Sequence, residues 1–426
     1  MNKKFYKEIG AGVKLLCVNS EKFKTNCIHV DFYLPIGEFL AAQNVLSSLM
    51  GHTSKKYNSF KKFNAKVESL YGADFDSSIA TVGEKVKMKF AIEVPDDRFS
   101  LDGESISESA VDFLVEILSN PNAENGAFDE ENTAREIRFT LENLDAEKND
   151  KRSYAISRLR QLMCQNEPYG IDREKLYNDV KNLDSKALFK AYENILKTAT
   201  IVITACGTLK AEMLEEKFSA FAEKIQGREI ASLDTIYVES ADEIRYFTEK
   251  MDITQAKLVM GLRTGMKDAD DNYFAYRVMT DVFGGGPYSR LFMNVREKLS
   301  LCYYCNSRLI RDKGIIFIQS GIENENYEKA KNEIFNQLEV MKKGEFTDED
   351  FTSSITALCD AFKGVGDSPA AVCTFYGSQA LDDCVIDGSE YAKLISQVTR
   401  EQVTECAKKV TVDTVYLLTG EEKGNE

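Results

Sequence analysis

Between Val282 and Tyr304 the sequence reads VFGGGPYSRLFMNVREKLSLCYY. Three consecutive glycines (Gly284, Gly285 and Gly286), then Ser289, Arg290, Arg296 and Tyr303, could serve more than one chemistry. A glycine turn opening a helix can cradle phosphate, because backbone amides and the helix dipole both face the anion. That use needs a Lys-Ser/Thr after the glycines, or a strand–turn–helix unit with an acidic residue about 20 positions on. Neither follows here. Cys302 and Cys305 have the spacing of a zinc knuckle or a redox pair, but a knuckle needs a second pair, and the sequence has none. Two readings remain. The glycines can form a plain helix-to-helix connection, since they lack a Cβ. Alternatively, the stretch can be one half of an active site.

Hydrolytic machinery is harder to find. The chain has two histidines, His29 and His52, too far apart for any H-x-x-E-H. No Gly-x-Ser-x-Gly elbow accompanies a histidine, so a Ser-His-Asp arrangement is not indicated. Cys-His catalysis meets the same shortage of imidazole. Acidic runs such as FDEEN and FTDEDF read as helix starts, where the dipole favours carboxylates. A paired-carboxylate mechanism has nothing beyond abundance behind it. His29 falls on an expected strand and His52 just past an expected helix, and both read as surface or capping residues.

The totals bound the class. At 426 residues, with 43% apolar and 29% charged residues, the chain suits several packed cores. A net charge of −15 argues against nucleic acid or an anionic membrane as the main partner, since both call for a basic face. Ten cysteines lie in apolar segments, and the start, MNKKFYKEIGAG, lacks a signal-peptide apolar core. The expectation is reduced thiols in a cytoplasmic, soluble protein.

The elements repeat. LDSKALFKAYENILKTATIVITACGTL and VTREQVTECAKKVTVDTVYLLTGEE each run from a capped amphipathic helix into a β-branched strand ending in glycine. Asp184 and Thr399 are the expected caps. GAFDEENTAREI and GEFTDEDFTSSI match in the same order, so an internal duplication is expected. KVKMKFAIEV alternates apolar residues with lysines, which predicts an antiparallel strand with one face in water. Each half therefore predicts an α+β domain, an antiparallel sheet packed with helices. The expected division is residues 1–223, a polar linker at 224–243, and residues 244–426.

Taken together, these segments are similar to the insulinase/pitrilysin-type peptidases, the inverzincins. The likeness rests on FGGGPYSRLF, NVREK and LCYY, and on FDEENTAREI, EPYGIDREKLYNDVKNLD and TQAKLVMGLRTG elsewhere along nearly the whole chain. It implies two homologous α+β halves. It also implies zinc held by H-x-x-E-H on a first-half helix, with a glutamate some way downstream. Here the corresponding helix is FLAAQNVLSSLMGH, and Asn44, Ser47 and Ser48 stand at the places of His, Glu and His. Glu136 falls in the region of the third ligand and reads as a solvated helix residue. No metal or other cofactor is therefore expected on this chain. The resemblance implies a non-catalytic subunit that pairs with a zinc-bearing homologue around a peptide. Arg296 and Tyr303, with Gly284, Gly285, Gly286 and Ser289, would support substrate in a shared site. Two alternatives stay open: a structural or maturation scaffold, and a peptide-binding homodimer.

Overall fold

The computed structural model describes residues 4–269 and 271–420. They form two compact units, and each is assembled from segments that are not contiguous in sequence. Residues 1–144, 173–234 and 364–387 make the first; residues 145–172, 235–363 and 388–426 make the second. The contiguous division expected at 224–243 thus differs from the compact units by two exchanged segments, 145–172 and 364–387.

The first unit holds a six-stranded sheet. Its strands are β1 (Lys4–Gly10), β2 (Val13–Asn19), β3 (Thr25–Pro35), β4 (Asp74–Val82), β5 (Lys85–Pro95) and β6 (Thr200–Gly207), in the order β1-β2-β6-β3-β5-β4. The second unit holds β7 (Arg245–Met251), β8 (Ala256–Arg263), β9 (Cys302–Ile310), β10 (Ile315–Ile322) and β11 (Thr411–Gly420), in the order β9-β10-β8-β11-β7. The pairings repeat. β2 runs parallel to β6 as β7 does to β11, and every other neighbour in both sheets is antiparallel. With β1 set aside as an addition at one edge, the two sheets share one topology, and the expected duplication is visible in the hydrogen bonding.

The exchanged segments follow from burial. Every residue of β6 is buried, and β3 is buried from Asn26 to Leu34. A strand covered on both faces needs a second layer besides the helices of its own half. In the first unit, Val30, Phe32, Phe90, Phe113 and Phe218 fill the main core on one face. On the other face lies a helix from late in the chain, Pro369–Leu381, whose Val372, Cys373 and Tyr376 pack with Cys27 and Cys206. In the second unit the helix Lys151–Met163 plays the same part. A Cβ on Gly261 of β8 would come 2.3 Å from the Met163 sulfur, so glycine is what lets that helix end seat on the strand.

Both expected caps form. Asp184 accepts from the Ala187 amide at 2.7 Å, and Thr399 accepts from the Gln402 amide at 3.3 Å. Gln402 returns a bond from the Thr399 amide at 2.9 Å, closing a capping box. The lysine face of β5 departs from expectation. Lys85 is buried, and Lys87 sits 3.0 Å from Asp31, which is 1% exposed. That face is therefore only partly wet, because buried Asp31 draws Lys87 inward. No helix among the described residues is long and apolar enough to cross a membrane.

Candidate functional site

The helix α1 (Leu40–Met50) carries the three positions that the resemblance equates with H-x-x-E-H. Asn44 turns back on its own helix and donates to the Leu40 carbonyl at 2.7 Å. Ser47 is buried, at 3% exposure. Ser48 points differently and donates its hydroxyl proton to Glu136 Oε2.

Glu136 comes from the helix Glu130–Ala146, which belongs to the same unit. It is not a solvated helix residue, as the sequence had led us to expect: it is 2% exposed. His52 is not a plain surface residue either. Its Nδ1 lies 3.2 Å from Glu136 Oε1 and 3.3 Å from Ser48 Oγ. Arg135 adds an Nε donor to Glu136 Oε1 at 2.9 Å. Burial pushes the Glu136 carboxyl upward. The hydrogen bonds from His52 and Ser48, with the His52 charge and Arg135, outweigh it and hold the group down at about 2.

This cluster does not suit zinc hydrolysis. Catalytic zinc needs three protein ligands and an open fourth position. Only His52 and Glu136 are competent ligands here, and both Glu136 oxygens are already engaged. At the place of the general base stands Ser47, a buried hydroxyl. Nor is it a Ser-His-acid relay. Such a relay takes the serine on one ring nitrogen and the acid on the other. Here Ser48 and Glu136 both face Nδ1, and the serine proton goes to the carboxylate. The donor set describes a pinned ion pair. The sequence signal that could have located it is the i, i+4 spacing of Ser48 and His52 at the end of the helix.

In the second unit the glycine stretch follows the helix Tyr273–Gly284. A Cβ on Gly284 would lie 2.6 Å from the Ser307 amide nitrogen of β9, and one on Gly285 would lie 2.2 Å from Asp281 Oδ2. One on Gly286 would meet the Tyr288 ring at 2.8 Å. The close approach that these glycines permit is thus to the protein's own atoms. Ser289 is fully buried and donates to the Gly286 carbonyl at 2.6 Å, which closes the turn. Tyr288 holds the same turn by donating to Asp281 Oδ1 at 2.8 Å. Arg290 reaches Asp350 at 3.1 Å and Gln337 at 2.9 Å, so it staples the turn to neighbouring helices.

Arg296 and Tyr303 are different. Arg296 lies in a π-helical turn, Phe292–Lys298, with its side chain 41% exposed. Its guanidinium sits 4.6 Å over the Phe292 ring and 3.7 Å from Glu297, an arrangement that orients it without burying it. Wide turns of this kind are rare in helices and concentrate at functional sites. Tyr303, 59% exposed, is the second residue of β9 and donates to Glu323 Oε1 at 2.7 Å. That acceptor raises the phenol above its ordinary value, so the hydroxyl stays a donor. β9 is an edge strand of its sheet. Cys302 and Cys305 lie on the same strand, Cys305 within the core, as structural residues rather than a knuckle.

Comparison with known proteins agrees with the fold. Residues 182–358 match the family described as "Peptidase M16 inactive domain". The chain is 26% identical over 412 residues to the "Probable inactive metalloprotease YmfF" of Bacillus subtilis (strain 168), covering 96% of each chain. Among solved structures it is similar to a conserved protein from Enterococcus faecalis V583, with a TM-score of 0.89, 26% identity, and 99% and 100% of the two chains covered. It also resembles the peptidase M16 inactive domain from Pseudomonas fluorescens, with a TM-score of 0.79, 17% identity and full coverage of both. The repeated α+β units and these likenesses mark the chain as a homologue of inactive M16-like metalloproteases, and its sequence has no H-x-x-E-H.

Proposed function

We propose that the chain is the non-catalytic subunit of a peptide-processing complex. A zinc-bearing H-x-x-E-H homologue would supply the metal, and this chain would supply Arg296 and Tyr303. One observation carries the reading: the metal position has become a pinned Ser48–Glu136–His52 cluster, while Arg296 and Tyr303 stay exposed and lightly partnered. Selection for fold alone gives no reason to keep an exposed arginine posed in a π-helical turn. An extended peptide can add to an edge strand through backbone hydrogen bonds, with little demand on sequence, and β9 presents such an edge beside Tyr303. The turn of Gly284, Gly285, Gly286 and Ser289 supports that edge from behind and leaves the contact with substrate to Arg296 and Tyr303. A cytoplasmic location is part of the proposal.

The test is purification from the native source, followed by mixing. The expected result is a complex with one H-x-x-E-H homologue that cleaves unfolded peptides, while each chain alone does not. A complex containing only copies of this chain would favour a peptide-binding homodimer. A stable mixed assembly without proteolysis would favour a scaffold.

A further inference from the structure

The face of the first sheet opposite its main core holds a second polar cluster, unrelated to the H-x-x-E-H position. Cys27 and His29 lie two residues apart on β3, so their side chains share that face. Cys373, on the helix Pro369–Leu381, descends onto it. One ligand-capable atom from each of the three lies within 4.8 Å of the others, and all three residues are buried.

The surroundings are equally dry. His29 is 3% exposed, which corrects its reading as a surface or capping residue, and its Nδ1 has no hydrogen-bond partner. Thr204, directly across from His29 in the sheet, has a buried hydroxyl without a partner, and so does one oxygen of Asp31. Cys206 stands opposite Cys27. A buried polar atom left without a partner is destabilising. Cys373 Sγ donates to the Cys27 and Thr204 carbonyls at 3.6 Å, but His29 Nδ1, the Thr204 hydroxyl and one Asp31 oxygen near it find no partner within the chain.

We infer that Cys27, His29 and Cys373 form a binding site for a soft d10 cation, Zn2+ or Cu+. Two thiolates with one imidazole are the donor set these ions favour, whereas hard cations want oxygen. On binding, both thiols release their protons, and the pair of thiolates then offsets the charge of a divalent ion. Of the two carboxylates beside the cluster, Glu93 stands opposite Cys27 and accepts from Thr25 at 2.6 Å, and Asp31 is matched by Lys87 at 3.0 Å. Cys27 and Cys373 stand 346 residues apart in sequence. The ion would therefore clip a helix from late in the chain onto a strand from its beginning, inside one unit. This would be a structural metal, away from the H-x-x-E-H position, and the expectation of a chain without metal would then be revised.

The experiment uses the full-length reduced chain, stripped of metal and titrated separately with Zn2+, with Co2+ as its spectroscopic stand-in, and with Cu+ against a competing chelator. One equivalent of tightly held ion is expected. The Co2+ form should show the thiolate-to-metal charge-transfer band expected for two sulfur ligands, and a higher melting temperature should accompany loading. Cys373→Ser and His29→Asn should each abolish stoichiometric binding, whereas Cys384→Ser, at an exposed thiol, and His52→Gln should not. The Zn2+ and Cu+ arms decide which ion the site prefers. Should Cys373→Ser fail to fold, X-ray absorption on the loaded wild-type chain, requiring sulfur and nitrogen scatterers together, decides the matter. No tight binding of any of the three ions, a Co2+ spectrum without the sulfur band, or recovery of a Cys27–Cys373 disulfide in the native chain would overturn the inference.

Discussion

His52 Nδ1 lies 3.2 Å from Glu136 Oε1, though 84 residues separate them, and Ser48 donates to the other oxygen of the same carboxylate. Ser48, His52 and Arg135 between them engage both oxygens of the Glu136 carboxylate. Because the Glu136 carboxyl is 2% exposed, losing its partners leaves a charge with nowhere to go.

Acid stability should report that carboxylate. Its folded value is depressed to about 2 from an ordinary 4.5. The stability it contributes is fully present above about pH 4.5 and is lost as pH falls toward 2, by about 3 kcal/mol at most. Glu136→Gln should therefore destabilise the chain near neutral pH, and the gap to wild type should shrink steadily below about pH 4. Urea unfolding followed by far-UV circular dichroism at a series of pH values measures this, and a pH-independent gap would contradict it.

The second unit rests on a buried ionic knot. Glu167 accepts from Arg263 at 2.6 Å and Lys313 at 2.5 Å, and Arg263 also reaches Asp413 at 2.8 Å. Lys313 is fully buried. Burial pushes the Glu167 carboxyl up, but Arg263 and Lys313 bring it below its ordinary value. Lys313→Met removes one partner from a buried charge and should cost roughly 3–5 kcal/mol. By contrast, Arg296→Ala breaks only an exposed 3.7 Å pair and should cost less than about 1 kcal/mol. The chain has no tryptophan, so circular dichroism rather than indole fluorescence follows both.

Gly284 leaves no room for a side chain. Gly284→Ala would drive a Cβ to 2.6 Å from the Ser307 amide nitrogen, a backbone atom that cannot swing aside. A loss of about 1–3 kcal/mol is expected. Gly37→Ala, where nothing lies within 4 Å, is the matched control and should be close to neutral. A drop in melting temperature for the first without the second checks the packing reading of the run.

If the proposed complex assembles, its turnover should separate the exposed pair from the turn behind it. Tyr303→Phe keeps the ring but removes the hydroxyl that Glu323 now accepts, and loss of an oxyanion donor lowers kcat by about 10²-fold or more. Arg296→Ala should lower turnover while leaving the complex intact by size-exclusion chromatography. Unchanged kcat in both variants would remove the shared-site part of the proposal.

Much of the fold was legible because it is local. The caps at Asp184 and Thr399, the β-branched strands ending at Gly207 and Gly420, and the matched order of the halves all lie within short stretches. The sheets then repeat that order strand for strand. The exchanged helices were not legible. Nothing in the composition of Lys151–Met163 or Pro369–Leu381 says which sheet each covers, because an apolar face fits any apolar face of similar shape. Buried β3 and β6 settle it by needing cover on both sides. The same limit hid Asp31 behind Lys87, and made the lysine face of β5 look wetter than it is.

What the sequence determined by itself was a negative: with two imidazoles so placed, the H-x-x-E-H chemistry could not be present, since ligand identity is fixed by covalent structure before folding. It also placed Arg296 and Tyr303 seven residues apart in one stretch. Only the tertiary structure decided what filled the vacated place and what gathered elsewhere. His52 meets Glu136, and His29 meets Cys27 and Cys373, because strand pairing and helix packing bring distant residues within ångströms. A contact across hundreds of residues is specified by the sum of the packing around it, and no short stretch of sequence carries that sum.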